Sequence, residues 1–123
     1  MQTELFYKII DKVIIVKFKG EVNCVNRDDF EDVLNKNIIG FETVIIDFSE
    51  VTYISSTSIG FVINLKKRNN FNVIAIIPHN SFTRGLFIIL RLDQVIKVYE
   101  SLEKALNDLG VSYNEEDKSY RKQ

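Results

Sequence analysis

Apolar residues along this chain change their spacing several times, and each spacing predicts an element. Residues 5–10 (Leu-Phe-Tyr-Lys-Ile-Ile) and 13–18 (Val-Ile-Ile-Val-Lys-Phe) are rich in β-branched and aromatic side chains and are separated by Asp11-Lys12. That pattern predicts a hairpin, ended by Gly20. Phe30, Val33, Leu34 and Ile38 then recur at helical spacing. They predict a helix over 26–36, with Asn26 as cap, Asp28 and Asp29 in the positive first turn, and Gly40 closing it. Residues 44–48 and 73–77 are short apolar runs without alternation, the pattern of strands covered on both faces. Pro78 ends the second run. Between them Ile59, Val62, Ile63 and Lys66 follow a helical period and predict a helix over 57–69, broken by Asn69-Asn70. A further helix is expected over 81–91, with Phe82, Leu86, Ile89 and Leu90 on its inward stripe and Phe87 and Ile88 off it. Residues 95–99 read as a last short strand. Ser101 then caps a final helix with Leu102, Ala105, Leu106 and Leu109 inward and Gly110 after it.

The order is ββαβαβαβα. Strands and helices that alternate after a hairpin imply parallel strands joined by right-handed crossovers, and so an α/β layer fold with a mixed sheet. The pattern does not give the strand order. With 123 residues the expectation is one domain over 1–111 and a polar, flexible tail over 112–123. Lys and Arg number 16 against 17 Asp and Glu, for a net charge of −1. That balance points to no nucleic-acid or membrane-surface partner. The single cysteine, Cys24, excludes an internal disulfide and every Cys-rich zinc motif. Apolar runs fall far short of the roughly 20 residues of a membrane span, and the first residues lack a basic and then apolar leader pattern. A soluble, cytoplasmic protein is expected.

Ser55, Ser56, Thr57 and Ser58 stand in a row where the helix after the first buried strand should begin. Unpaired backbone N–H groups and the positive end of the helix dipole meet at such a point. A hydroxyl there serves as a helix cap, or, if phosphorylated, carries roughly −1.5 to −2 charges and acts as a switch. Both readings stand on the residues alone. Asp47 is read as satisfying a turn or helix-start N–H, with a catalytic or metal role as the minor alternative. His79, the only histidine, is read as a loop or cap residue, because no nucleophile-turn motif accompanies it. Cys24 is read as a small packing residue. Lys66, Lys67 and Arg68 complement the end of their helix, with a phosphate contact as the minor alternative. The helix of Phe82, Arg84, Phe87 and Ile88 is unusually apolar, so that Phe87 and Ile88 are candidates for partner contacts or a dimer patch. No metal ligand set, cofactor loop or nucleophile–base pair is present, and an enzyme is not expected.

Three pieces of the sequence resemble the STAS domain family, most closely its bacterial anti-sigma-factor antagonists. Gly20-Glu21-Val22-Asn23 is similar to the family's Gly-Glu-Leu-Asp after the second strand. Val44-Ile45-Ile46-Asp47-Phe48-Ser49-Glu50-Val51 resembles its apolar strand ending in Asp-Leu-Ser-x-Val. Ile54-Ser55-Ser56-Thr57-Ser58-Ile59-Gly60 stands where the family has Ile-Asp-Ser-Ser/Ala-Gly-Leu-Gly. The likeness spans residues 5–110. It implies a single STAS-like α/β domain whose mixed sheet has five strands or so, with some four helices.

The resemblance also implies roles. Ser56 falls on the family's phosphorylated serine and Ser55 on the acidic residue before it. Ser58 replaces the first glycine and Gly60 keeps the second. Arg91-Leu92 stands where members often have Gly-Leu. In the family the unphosphorylated protein docks on an anti-sigma factor that is also a serine kinase, and this frees the sigma factor. Phosphorylation breaks the complex, and a metal-dependent serine phosphatase restores it. The implied contact residues are Asn23, Ser55, Ser56, Thr57, Ser58 and Gly60. No cofactor, metal, nucleic acid or membrane insertion is implied, and a homodimer stays open. The alternative is a STAS subunit that regulates an ATPase or transport complex without a phosphorylation switch.

Overall fold

In the computed structural model, which describes residues 4–22, 42–68, 72–114 and 118–122, the elements follow the expected alternation. They are β1 (Glu4–Ile10), β2 (Val13–Val22), β3 (Thr43–Ile54), α1 (Ser56–Arg68), β4 (Asn72–Ile76), α2 (Phe82–Ile89), a 3-10 turn (Leu92–Gln94), β5 (Lys97–Tyr99), α3 (Leu102–Leu109) and β6 (Arg121–Lys122). The helix expected over 26–36 lies outside the described residues. The sheet order is β5-β4-β3-β2-β1-β6. β1 is antiparallel to both its neighbours, and β2 to β5 are parallel. The mixed α/β sheet is therefore the one expected, with a two-residue sixth strand added at its edge.

The unalternating apolar runs are strands buried on both faces. Ile14, Val16, Val44, Ile46, Val73, Ala75 and Ile77 feed one core, together with Ile59, Val62 and Leu65 of α1 and Phe87 of α2. Val13, Ile15, Ile45, Ile74 and Ile76 point the other way, against Ala105 and Leu106 of α3. Each such side chain contributes roughly 1.5–3 kcal/mol on burial. α1 and α2 lie on one face because β3–α1–β4 and β4–α2–β5 advance across the sheet in the same direction, and such crossovers keep one hand.

Two strands outrun their expected ends. β2 passes Gly20 to reach Val22, and β3 passes Phe48 to reach Ile54. They continue as a pair, with Gly20 opposite Val51 and Val22 opposite Ile54, through register shifts at Lys17/Lys19 and Gly20/Glu21. Gly20 has φ 97°, a backbone conformation open to glycine, and this accommodates the irregularity. β4 ends at Ile76, opposite Asp47. Beyond that point β3 has no β4 partner, and its Ser49, Glu50, Thr52 and Tyr53 are exposed. The strand expected over 44–48 therefore runs on through polar residues that stay exposed.

α2 is rotated relative to the expected stripe. Phe87, placed off the stripe by spacing, is only 1% exposed, whereas Phe82, Ile89 and Leu90 are exposed. Phe87 packs edge-on against Phe48 with ring centroids 5.8 Å apart. The helix is apolar nearly all round, so periodicity alone does not select its inner face. The polar contacts at its start do. Ser81 Oγ accepts from Arg84 N at 3.1 Å and donates to Pro78 O at 2.9 Å. Arg84 Nη1 donates to Ile77 O at 3.0 Å. After the helix, Arg91 adopts a left-handed conformation, φ 58° and ψ 30°. This is the position where a Gly-Leu pair was implied, and the backbone explains why glycine suits it.

α3 forms as expected. Ser101 caps it and Gly110, at φ 71°, closes it. Two tyrosines beyond Ser112 complete the same face of the sheet. Tyr113 and Tyr120 pack against that core, and Arg121–Lys122 pair with Tyr7 and Phe6 of β1. Lys8, 5% exposed, donates to Tyr113 Oη at 2.9 Å. Its ammonium also lies 4.1 Å from the centroid of the Tyr120 ring. Aromatic faces stabilise a cation that has lost water. Burial, and after it the nearby Asp47 carboxylate, push the Tyr120 phenol well above its ordinary pKa.

Phe87→Ala is expected to lower unfolding free energy by about 3–5 kcal/mol, and Ile89→Ala to change it by no more than about 0.5 kcal/mol. Urea denaturation measures both, and equal losses would place the inner face wrongly. Arg91→Gly relieves about 1–2 kcal/mol of left-handed strain against roughly 0.5–1 kcal/mol of added chain entropy. Its melting temperature should stay level or rise by a few degrees. A clear fall in a calorimetric scan would contradict that conformation.

Candidate functional site

The hydroxyl run sits where the extended β2–β3 pair ends. Ser55 N donates to Val22 O at 2.9 Å, so the turn into α1 is tied to the last residue of β2. Ser55 Oγ accepts from Ser58 N at 3.2 Å and lies 2.9 Å from Ser58 Oγ. Ile59 N donates to Ser55 O at 3.1 Å and closes the first helical turn. Ser55 is therefore the cap, and the buried Ser58 is its partner one turn on. Ser56 and Thr57, the first two helical residues, are exposed. The cap and the exposed hydroxyl are different residues, so one does not preclude the other. Ser55 also does what an acidic cap would do, as an acceptor without charge.

Gly60 lies one turn after Ser56 and on the same helical face. It is exposed, and a Cβ there would meet nothing within 4 Å. A glycine inside a helix costs about 1 kcal/mol relative to alanine, and no neighbour among the described residues requires it. Gly85 of α2 has the same open surroundings.

Tyr53 and Phe82, which the sequence did not single out as a pair, stack beside this run. Their ring centroids are 6.2 Å apart with an interplanar angle of 21°. Both rings remain largely exposed. Phe82 was expected in the core, and the rotation of α2 brings it out. Ile88 is exposed, as one of the two candidate contacts required, and Phe87 is not. The apolar surface continues through Ile89, 76% exposed, to Leu90.

The remaining candidates do not join this site. Asp47 is buried and its Oδ1 accepts from Ser49 N at 2.9 Å, the turn-like role expected of it. His79 pairs with Glu100 and not with any serine. Lys66 and Lys67 stand in the last turn of α1, and Lys67 is exposed. Asn23 and Cys24 lie outside the described residues. Among the described residues no three His, Cys, Asp or Glu side chains converge as metal ligands. No helix among them is long and apolar enough to cross a membrane.

Ser55→Ala should lower stability by about 1 kcal/mol through loss of the cap, while Ser56→Ala should stay within about 0.5 kcal/mol of the original chain. Denaturant midpoints distinguish the two. The reverse order would mean that Ser56 is the cap.

The comparisons with known proteins agree with the fold. A Thermotoga maritima protein named "Putative anti-sigma factor antagonist" is 26% identical over 110 residues, which cover 84% of this chain and 95% of that protein. An anti-sigma factor antagonist from Mycobacterium paratuberculosis superposes with a TM-score of 0.71 at 20% identity, over 89% of this chain and 95% of that one. The Bacillus antagonist SpoIIAA in its unphosphorylated form gives 0.68 at 15% identity, over 89% and 99%. These structural likenesses establish a shared fold. The family model of the STAS domain matches residues 6–105, most of the chain, which therefore belongs to the STAS domain family.

Proposed function

We propose that this domain is an anti-sigma factor antagonist. It binds an anti-sigma factor that is also a serine kinase, releases the sigma factor, and is switched off when Ser56 is phosphorylated. The observation that carries this reading is the division of labour at the start of α1. Ser55 caps the helix, and Ser56 stands exposed beside it. A phosphate on Ser56 would sit at a helix N-terminus, which favours it locally, so that the domain stays folded. At an interface the same group must lose water or meet like charge. Every 1.4 kcal/mol of that penalty weakens binding about tenfold. Gly60, open on the same face, leaves room for another backbone. A metal-dependent serine phosphatase would reset the switch. The domain then acts in the cytoplasm, as a regulator of transcription and not as an enzyme.

One observation favours a second reading, a constitutive STAS subunit of an ATPase or transport complex. Position 55 holds a neutral serine bonded to Ser58 in place of an acidic residue, so a kinase that requires the carboxylate would not act. Binding assays with the purified anti-sigma factors of the source genome separate the two. The antagonist reading expects Ser56→Ala to bind like the original chain and Ser56→Asp to bind about a hundredfold more weakly, roughly 2.8 kcal/mol. Equal binding of Ser56→Asp would overturn the switch.

A further inference from the structure

We propose that the outer edge of β1, with Lys8 beside it, is a docking site for an extended protein segment that carries an aromatic residue followed two positions on by Lys or Arg. The chain's own Tyr120-Arg121-Lys122 fills the site as a displaceable stand-in. This site is independent of the antagonist reading and lies away from α1 and α2. Edge geometry is the first support. β1 has seven residues, and the two-residue β6 pairs with only Phe6 and Tyr7 of them. The backbone N–H and C=O groups of an edge strand are a template for another chain. A segment added to such an edge gains affinity from main-chain bonds and specificity from alternate side chains.

Those alternate side chains are the second support. The register that sets Phe6 against Lys122 and Tyr7 against Arg121 brings Tyr120 across from Lys8. The Lys8 ammonium lies 4.1 Å from the centroid of the Tyr120 ring and 4.7 Å from that of Tyr113. Lys17 stands 5.5 Å from the Tyr120 ring. Two residues on, Lys122 Nζ meets Glu4 Oε2 at 3.0 Å. The edge therefore reads an aromatic face with a cation and a basic head with a carboxylate. Arg121, between the two, alternates to the other side and is exposed, so it sets no requirement.

Lys8 makes the occupant displaceable. It is 5% exposed, on a face whose other buried positions include Ile10, Val13, Ile15 and Ile45. A cover that never lifts is better served there by an aliphatic side chain, because a buried ammonium costs free energy that its partners must return. A lysine suits two states. It is boxed by tyrosines when the segment is on, and its head is hydrated when the segment is off. The edge can thus open without baring a wholly apolar strand to water. The segment is also lightly held. Lys118, Ser119, Arg121 and Lys122 are exposed, and the Lys122–Glu4 pair is of the surface kind that contributes little. Segments of this sort open while the rest of a domain stays folded.

The test titrates a synthetic peptide of residues 118–123 into the isotope-labelled full chain and follows the amide resonances of residues 5–9 by NMR. Three chains are compared: the original, Tyr120→Ala/Lys122→Glu, and that double variant with Lys8→Met added. The double variant weakens the chain's own segment and leaves β1 intact. It is expected to bind the peptide about tenfold or more tightly than the original, whose site is already filled. Lys8→Met should lower that affinity about tenfold, and so should alanine at the tyrosine of the peptide. Equal binding by all three chains, or by none, would overturn the proposal. Melting curves check the fold of each variant. Where a variant does not fold, hydrogen exchange in the original chain decides. The amides that link β1 to β6 should exchange about tenfold or more faster than those that link β2 to β3. Equal protection would make the segment a fixed part of the fold and overturn the proposal. A dimer in sedimentation that Tyr120→Ala dissociates would show the edge serving a second copy, and would overturn it too.

Discussion

The structure depends on the parallel pairing of β2 and β3 beyond the end of β4. Inside the sheet these strands are held by aliphatic contacts on both faces. Beyond Asp47 the pair continues alone to Val22 and Ile54, and Val22 O receives the N–H of Ser55. That bond fixes where the strand stops and α1 begins. The cap at Ser55, the burial of Ser58 and the exposure of Ser56 all follow from that one end point. A shift of one residue in the pairing would move every β3 side chain to the other face and replace the exposed hydroxyl.

The second constraint is the rotational setting of α2. An almost wholly apolar helix has many faces that could be buried, and polar contacts choose between them. Ser81 caps the helix and ties it to Pro78, and Arg84 reaches back to Ile77 O. With the start so fixed, Phe87 enters the core against Phe48, and Phe82, Ile89 and Leu90 are left outside. Apolar area kept in water is unfavourable to an isolated domain and useful to one that docks. The same setting brings Phe82 onto Tyr53 of β3.

The opposite face of the sheet is covered differently. α3 packs over β4 and β5, and Tyr113 and Tyr120 lie by Lys8 of β1, Tyr120 also by Lys17 of β2. A polar composition suggested a free tail. Its tyrosines are amphipathic, however, and Lys8 on the sheet offers them a cation to face. Composition averages over such pairs and does not register them.

Local patterns determined much of this protein. Unalternating runs such as 73–77 marked strands buried on both sides, because burial on two faces demands apolar side chains at every position. Ser101 and Gly110 marked the ends of α3, because capping is a property of adjacent residues. The run Ser55-Ser56-Thr57-Ser58 marked a helix start by the same reasoning. The tertiary structure decided what local pattern leaves open. Which serine caps depends on where Val22 lies. Which face of α2 is buried depends on Phe48 and on Ile77 O. The length of β3 depends on its partner β2, since its polar residues beyond Asp47 stay in a strand only because β2 pairs with them. These outcomes are set by residues distant in sequence, and their energies appear only when the chain has folded.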